Sequence, residues 1–346
     1  MEIETFLGID YPTWWFLVVG ALFSGYAILD GFDLGVGALH LFLPKDEGRR
    51  IAINAIGPVW DGNEVWIVIG TGALFAGFPA VYATVFSAFY IPFILFLVAL
   101  IFRAVSIEFR GKEPMNWWKN VWDISFSFSS ILIILLLGLL FGNILLGLPV
   151  GENLRLSGSM PVFLNPFAIL VAVTTLALFM MHGAIFLVMK TEGKLFLKTE
   201  GIVKNTTFFF VTCYSLLTVY TLAFVPHLSD NFLTNPLLFI FPGACFVLVA
   251  LGMWLVSKEK YLAAFLASSG TISLLLILVA IELFPTFVLS TVDPAFNITV
   301  YNAASSTSSL KIMLIIAAIG IPLVASYTTF VFWTFKGKVV LDETSY

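Results

Sequence analysis

The sequence predicts an all-α polytopic membrane protein, because its charged residues are few and its apolar residues are gathered into long runs. Hydrophobic residues make up 60% of the 346 positions and charged residues only 11%, whereas a typical soluble domain carries about 25% charged residues. The net charge is −4, and the chain has no basic arm. This composition excludes a disordered, collagenous or nucleic-acid-binding protein.

Nine apolar runs are each long enough to cross the hydrocarbon core, which requires a helix of about 20 residues. Short segments join the runs, so neighbours along the chain are expected to be antiparallel neighbours in space. Residues 1–346 are therefore predicted to form a single integral membrane domain, with the polar segment 286–310 as an outer loop. The predicted helices cover residues 13–38, 54–77, 80–106, 121–146, 165–189, 206–226, 236–256, 262–285 and 311–335.

The positions of Lys and Arg predict how these helices are oriented. With nine crossings, alternate loops lie on the same side of the membrane, and all but two of the 17 basic residues then fall on one side. The two exceptions are Arg155 and Lys311. Because cytoplasmic loops are the basic ones, the N-terminus is expected outside and the C-terminus in the cytoplasm.

The first predicted helix carries two acids near its inner end. Asp30 and Asp33 are three residues apart, so they share one helix face. At about 1.5 Å per residue, Asp30 lies about 25 Å from the outer end. A charged side chain at the bilayer centre costs about 2.5–3.5 kcal/mol on insertion scales. The pair is either an interfacial acid pair or part of a site that carries protons or ions.

The second predicted helix carries Asp61 and Glu64 within the motif WDGNEVW (60–66), again three residues apart. Asp61 is expected about 15 Å from the cytoplasmic end, close to the membrane midplane. Two acids at this depth cannot both be ionised cheaply, so they are candidates for proton transfer. Together with Asp30 and Asp33 they predict a relay that leads inward from the cytoplasm. The alternative is a structural cluster that pairs with Arg or Lys of this chain or of a partner.

Other polar residues in the predicted helices have simpler interpretations. Arg103 and Asp123 stand at predicted cytoplasmic helix ends, where Arg snorkels and Asp suits a helix N-terminus. His182 is the one clearly intramembrane His of three; a haem ligand is one interpretation, and a hydrogen-bonded role in helix packing is the commoner one. The additional candidates near the path or an interface are Trp60, Asn63, Arg103, Asp123 and His182.

Two long motifs are the most distinctive strings in the chain, LDGFDLGVG (29–37) and RRIAINAIGPVWDGNEVW (49–66). Seven further strings accompany them: GALFAGFPAVYATVFSAFY (72–90), IFRAV (101–105), WDISF (122–126), FGN (141–143), NPFAIL (165–170), HGA (182–184) and NAASSTSSLKIML (302–314). This set resembles the pattern of subunit II of the cytochrome bd-type quinol oxidases. The resemblance runs almost end to end and is denser in the first half.

The resemblance implies the second membrane subunit of an enzyme that oxidises quinol, reduces dioxygen to water and takes the protons from the cytoplasm. It implies two four-helix bundles, at 13–146 and 165–285, with helix 311–335 at the periphery. The family's haem b and haem d are ligated by the larger subunit I, so no catalytic, cofactor-binding or metal-ligating residue is expected in this chain. The matching acids, Asp61 and either Asp30 or Asp33, are expected to line a proton path toward those haems.

The resemblance also implies what surrounds the chain. Subunit I is the expected partner in a pseudosymmetric heterodimer within the lipid of the bacterial inner membrane, and some members add a small single-span subunit. Quinol is the expected substrate, and in some members a structural quinone occupies a cavity in subunit II.

The residues alone leave two other functions open. One is a proton-coupled secondary transporter, although no helix break with acids in the later half matches the break at Gly57-Pro58. The other is a purely structural subunit, whose acids only pair with a partner.

Overall fold

A computed structural model describes residues 4–157 and 163–341, and these residues are almost entirely helical. The α-helices are α1 (Tyr11–Leu39), α2 (Glu47–Ile56), α3 (Trp60–Gly77), α4 (Pro79–Ala88), α5 (Tyr90–Phe109), α6 (Asn116–Leu146), α7 (Pro166–Lys190), α8 (Gly193–Phe224), α9 (Pro226–Thr234), α10 (Ile240–Ser257), α11 (Tyr261–Leu283) and α12 (Thr307–Thr334). Within the described ranges, eight helices are long and apolar enough to cross a membrane. The prediction of an all-α polytopic membrane protein is confirmed.

The second predicted span, 54–77, is divided in the structure at Gly57-Pro58. α2 ends and α3 begins on either side of this pair, because a proline ring lacks the backbone N–H and collides with the carbonyl four residues earlier. α3 retains 18 residues, but it carries three polar side chains near its start and is not one of the eight apolar spans among the described residues. The count of nine crossing helices therefore stays a prediction, with α3 as the second crossing.

The third predicted span, 80–106, is also divided. α4 ends at Ala88 and α5 begins at Tyr90. The break falls where the ring of Pro92 meets the carbonyl of Ala88, which is the usual cause of a sharp bend in a helix. The span is therefore two helical pieces that continue past Phe89.

α8 begins at Gly193, well before the predicted residue 206. Its first turns carry Lys194, Lys198 and Lys204 on exposed positions, while Leu195 and Val203 are buried. Hydropathy detects only the apolar part of a helix, so this amphipathic extension was not predicted.

α1 is the central helix, and it packs against α3, α6, α7 and α11. The contact with α7 is close because two glycines meet: a Cβ on Gly35 would collide with the carbonyl of Phe179, and Gly183 lies directly opposite. This approach buries every residue of α1 from Asp30 to Leu39. Charged side chains on that half of α1 must therefore be satisfied by neighbouring protein groups.

The helix ends lie on two sides of the structure. One side, named here the hairpin side, carries two antiparallel hairpins, β1 (Thr5–Phe6) with β2 (Ile9–Asp10) and β3 (Thr286–Val288) with β4 (Ile298–Thr299). The segment 286–310 covers this side, and its Ser305 hydroxyl donates to the carbonyl of Ala76 at the end of α3, at 2.6 Å.

On the opposite side, residues 335–341 fold back from α12 onto the end of α7; we name this segment the C-terminal strap. The Lys190 ammonium donates to the carbonyl of Phe335 at 2.6 Å, and Lys338 donates to the carbonyl of Val188 at 3.1 Å. The backbone N–H of Val339 donates to the carbonyl of Lys190 at 2.9 Å. Burial lowers the pKa of Lys338, a shift that nearby Glu192 opposes. The strap thus satisfies carbonyls that the last turn of α7 leaves without helical partners.

α12 is the most exposed of the long apolar helices, since only 6% of its span is buried. It contacts α1 and α3 along one edge. The division of the remaining helices into two four-helix bundles stays a prediction, because α1 and α6 both pack extensively against α7.

Candidate functional site

A group of buried polar side chains lies between α1, α3 and α5, and we name it the acid cluster. Arg103 binds Asp30 through two hydrogen bonds: Nη2 donates to Oδ1 at 2.5 Å and Nη1 to Oδ2 at 3.1 Å. Nη1 also donates to Oε2 of Glu64 at 3.3 Å. The Asn63 amide donates to Oδ2 of Asp33 at 2.8 Å. The cluster therefore contains five side chains from three helices, in two hydrogen-bonded sets that lie side by side.

The members of the acid cluster differ in burial. Asp30, Asp33 and Arg103 are 0% exposed, whereas the Glu64 side chain is 19% exposed. The interfacial interpretation of Arg103 is therefore wrong, since a snorkelling side chain would reach the surface. Arg103 lies within α5, which continues to Phe109, and its side chain points into the protein toward Asp30 and Glu64.

The local sequence explains why these side chains meet. The three-residue spacing of Asp30 and Asp33 places both on one face of α1. The break at Pro58 starts α3 at Trp60, so that Asn63 lies at the centre of the face that meets α1. Trp60 itself is half-buried and packs against the main hydrophobic core.

Asp61 lies apart from the acid cluster. At about 100° per residue, it is about 200° around α3 from Asn63 and so points away from α1. Asp61 is exposed, in line with Val65 and Val68, which are 46% and 64% exposed. The structure thus brings together three of the four predicted acids, and it places the fourth on the outer surface of α3.

A second group of charges, the Asp123 cluster, lies where α1 ends and α6 begins. Oδ1 of Asp123 is 2.7 Å from Nε2 of His40 and accepts from Nε of Arg110 at 2.5 Å. Oδ2 accepts from Nη1 of Arg49 at 2.9 Å. Asp123 is only 2% exposed, so its interpretation as a simple interfacial residue at a helix start is wrong. One carboxylate here contacts three basic side chains.

His182 connects three helices. Its Nε2 lies 3.0 Å from the carbonyl of Ile28 on α1, and its Nδ1 lies 2.7 Å from the hydroxyl of Ser268 on α11. Because a carbonyl only accepts, Nε2 donates, and in the neutral ring Nδ1 accepts from Ser268. The ring also stacks on Phe265 with centroids 4.7 Å apart. Both nitrogens are therefore used in helix packing.

All three histidines have protein partners. His182 uses both ring nitrogens, His40 binds Asp123, and Nε2 of His227 is 2.9 Å from the carbonyl of Leu145. No group of three or more His, Cys, Asp or Glu side chains that could hold a metal ion occurs in the ranges 4–157 and 163–341.

A large apolar cavity of about 1130 Å³ extends from α1 between α5 and α11. Its walls are mostly Phe, Leu, Ile and Val. Tyr26 and Glu282 are among the polar side chains that also line it. Tyr26 is one helical turn from Asp30, so the cavity reaches the neighbourhood of the acid cluster. Such a space suits a long apolar molecule.

Taken together, these features define a polytopic membrane protein with two buried charge clusters, and comparisons with known proteins identify its family. Residues 11–335 match the family model of cytochrome bd terminal oxidase subunit II. The chain is 34% identical over 370 residues to the cytochrome bd-I ubiquinol oxidase subunit 2 of Escherichia coli strain K12, covering 97% of each chain. It is 35% identical over 333 residues to the cytochrome bd ubiquinol oxidase subunit 2 of Bacillus subtilis strain 168, covering 95% of this chain and 97% of that one.

A solved structure shares the fold. A chain of the bd oxidase from Geobacillus thermodenitrificans superposes with a TM-score of 0.74, covering 94% of this chain and 98% of that chain, at 17% sequence identity. The chain belongs to the family of cytochrome bd terminal oxidase subunit II. It is thus a subunit of a terminal oxidase of the respiratory chain, and a multi-pass protein of the bacterial inner membrane. The comparisons do not favour a secondary transporter.

Sequence reasoning did not single out several residues of these clusters. His40, Arg49 and Arg110 stand in or beside predicted loops, where basic residues are ordinary. His40 and Arg49 lie between α1 and α3, and Arg110 follows α5. Their burial depends on contacts between elements that are distant in sequence, which no local pattern shows. The sequence feature that could have indicated burial is that Arg49 and Arg110 both lie close to the ends of apolar helices.

Proposed function

We propose that this chain scaffolds a haem-bearing subunit I and supplies protons to it through the acid cluster. The observation that carries the proposal is the excess of acids over bases in that cluster. The cluster holds three carboxyl groups and one guanidinium, which contacts Asp30 and Glu64 but not Asp33. Three of these four side chains are fully buried. One cation balances one carboxylate, so the cluster stays neutral only if it also holds protons. A buried group that holds exchangeable protons is what oxygen reduction in a dry interior requires.

The direction of supply follows from the distribution of charge. We propose that the side opposite the hairpins faces the cytoplasm, since the loops there carry nearly all of the basic residues. This orientation requires nine crossings, with α3 as the second one. It places the Asp123 cluster at the cytoplasmic end of α1 and the acid cluster deeper in the membrane. Protons for oxygen reduction would then enter this subunit from the cytoplasm.

The exposed face of α3 is the proposed contact with subunit I. Asp61 lies on this face, and the partly exposed Glu64 connects it to Arg103 in the buried cluster. A carboxylate facing lipid would be costly, and docking of a partner removes that cost. Asp61 would then pass protons from this subunit toward the haems, which subunit I holds. The choice between Asp30 and Asp33 favours Asp33, because Arg103 already binds both oxygens of Asp30.

Two further family features remain predictions for this chain. The large apolar cavity has the size and lining for the isoprenoid chain of a structural quinone. Extraction of the purified complex with organic solvent tests this, and about one quinone per complex beyond the substrate pool is the expected result. A small single-span subunit is the second feature, and a third protein band in the purified complex tests it.

The test of the proton path compares two conservative variants in the assembled oxidase. Asp33→Asn and Asp61→Asn each remove one proton-carrying group with little change in shape. Each is expected to lower quinol oxidase turnover about tenfold or more, because a positioned proton-transfer group contributes about 10²–10⁴-fold. The reduced-minus-oxidised optical spectrum should show an unchanged haem content.

Asp230→Asn is the matched control, since it makes the same chemical change at an exposed position on the hairpin side. Normal turnover in both Asp33→Asn and Asp61→Asn would contradict the proton path. Loss of haem in either variant, with no change in turnover per haem, would instead support a purely structural role for these acids.

A further inference from the structure

One face of α1 carries a row of buried positions, four of which are polar, and we name this row the polar stripe. Its members follow one another at intervals of three or four residues and so lie in a row along the helix. All of them are buried. The stripe consists of Tyr26, Asp30, Asp33, Gly37 and His40. It spans about 21 Å at 1.5 Å per residue and connects the large cavity, the acid cluster and the Asp123 cluster.

The stripe has one gap in its polar groups, at Gly37. Asp33 and His40 are seven residues apart, or about 10 Å along the helix, which is too far for a direct hydrogen bond. α6 fills this gap with a side chain of its own. A Cβ on Gly37 would collide with the hydroxyl of Ser130, so that hydroxyl rests directly on the Gly37 backbone. The absence of a side chain at Gly37 is what admits it.

The position of Ser130 follows from the pairing of α1 with α6. Asp123 and Ser130 are seven residues apart on one face of α6, as His40 and Asp33 are on α1. The helices run antiparallel, so Asp123 meets His40 and Ser130 meets the next turn of α1. Ser130 is 0% exposed, and its hydroxyl donates to the carbonyl of Phe126 at 2.8 Å. The oxygen keeps its lone pairs, so it can also accept a hydrogen bond.

Polar atoms on both sides of this gap lack hydrogen-bond partners among the described residues. Oδ1 of Asp33 is buried without one, although Oδ2 is bound by Asn63. Nδ1 of His40 is buried without one, although Nε2 is bound to Asp123. Buried polar atoms of this kind are usually satisfied by bound water. We therefore expect bound water at both atoms, which lie on either side of Gly37 along the stripe.

We infer that the hydroxyl of Ser130 relays protons between His40 and Asp33, and so joins the Asp123 cluster to the acid cluster. A proton arrives at the Ser130 oxygen from water on the His40 side. The hydroxyl turns away from the Phe126 carbonyl and releases its own proton to water beside Asp33. Each group ends the step with the number of protons it had at the start. This inference rests on the proposed function, and it names the segment of the path that lies on the cytoplasmic side of Asp33.

The experiment compares three variants in the complete oxidase: Ser130→Ala, Ser130→Thr and Ser129→Ala. Ser129 is the matched control, because it is also buried and also donates to the carbonyl four residues earlier, that of Ser125, at 2.7 Å. Fully reduced complex is mixed with oxygen, and proton uptake is followed with a pH-sensitive dye in H₂O and in D₂O. The haem spectrum of each variant reports assembly.

Ser130→Ala is expected to slow proton uptake about tenfold and to raise the solvent isotope effect, because water replaces only part of a positioned transfer group. Ser130→Thr keeps the hydroxyl and should restore uptake to within about twofold of the parent. Ser129→Ala should leave uptake unchanged. A merely structural Ser130 would change stability without changing the isotope effect. If Ser130→Ala does not assemble, Ser130→Cys is used, and its weaker S–H donor should also slow uptake.

Three results would overturn the inference. The first is uptake in Ser130→Ala that equals uptake in Ser129→Ala. The second is a slow Ser130→Ala beside a normal Asp33→Asn, because the relay passes through both residues. The third is a failure of Ser130→Thr to restore uptake. If Asp33→Asn is slow while Ser130→Ala is normal, the inference falls and the proposed function stands.

Discussion

The acid cluster and the Asp123 cluster both lie against α1, but their charges are balanced in opposite ways. The acid cluster holds three carboxyl groups and one guanidinium, which contacts two of them, while the third, Asp33, accepts from the Asn63 amide. In the Asp123 cluster, one carboxylate accepts hydrogen bonds from two guanidinium groups and contacts an imidazole. Both clusters are buried, so burial alone does not distinguish a proton-carrying site from a structural one. The excess of acid over base does.

This difference predicts different responses to mutation. A carboxylate that is saturated by bases cannot accept a proton without leaving buried cations unpaired, which is strongly destabilising. A carboxyl group in a cluster with surplus acid can lose its charge with little structural consequence. Changes at Asp123 and its two arginines should therefore act on assembly, and changes in the acid cluster on turnover.

The largest expected effect is that of Asp123→Asn. The change leaves the two buried guanidinium groups of Arg49 and Arg110 without a counter-charge, and breaking a buried pair costs about 3–5 kcal/mol. The yield of haem-containing complex from membranes should fall sharply, and the melting temperature of what remains should drop. The double variant Asp123→Asn/Arg49→Met removes one of the unpaired cations and should recover part of the loss. If the yield and melting temperature of the variant complex equal those of the parent, Asp123 is not the required counter-charge of Arg49 and Arg110.

An intermediate effect is expected for Arg103→Lys. Lysine keeps the charge but cannot bind both oxygens of Asp30 at once, and hydrogen bonds to charged groups contribute about 1.5–3 kcal/mol. The melting temperature of the complex should fall, and turnover should fall with it. Arg49→Lys is the comparison in the other cluster, and its effect should be smaller because Arg110 still binds Asp123. Equal losses in the two variants would remove the distinction between the clusters.

The smallest effect is expected for Glu64→Gln. Glu64 is the one partly exposed acid of its cluster, and the amide oxygen of glutamine still accepts from Arg103. Stability should change by less than about 1 kcal/mol, measured as the melting temperature of the complex. Turnover should fall less than in Asp33→Asn. A loss of assembly as severe as that of Asp123→Asn would mean that Glu64 is a structural group.

The fold could largely be predicted from the sequence, because runs of apolar residues directly reflect the thickness of the membrane. The departures have local causes. Pro58 and Pro92 each divide a span that the hydropathy pattern predicts as one helix. α8 begins several turns before its apolar part, in an amphipathic segment. A hydropathy profile reports local composition, so it does not predict where a helix is broken or where an amphipathic helix continues beyond its apolar part.

The site was predicted in part. The spacing of Asp30 and Asp33 on one helix fixes their common face, whatever surrounds them. The position of Asp61 was harder, because its direction depends on which face of α3 meets α1. The role of Arg103 depends on α5 placing it opposite Asp30, which is 73 residues away in sequence. Such pairings are tertiary, and short-range patterns do not contain them.

The C-terminal strap has a consequence for how the protein is made. Its contacts with Lys190 and Val188 join the last described residues of the chain to the middle of the sequence. These contacts cannot form until α12 and the strap have been synthesised, so the C-terminal end of α7 stays without these partners until then. Insertion of the helices and completion of the fold are therefore separate events in time.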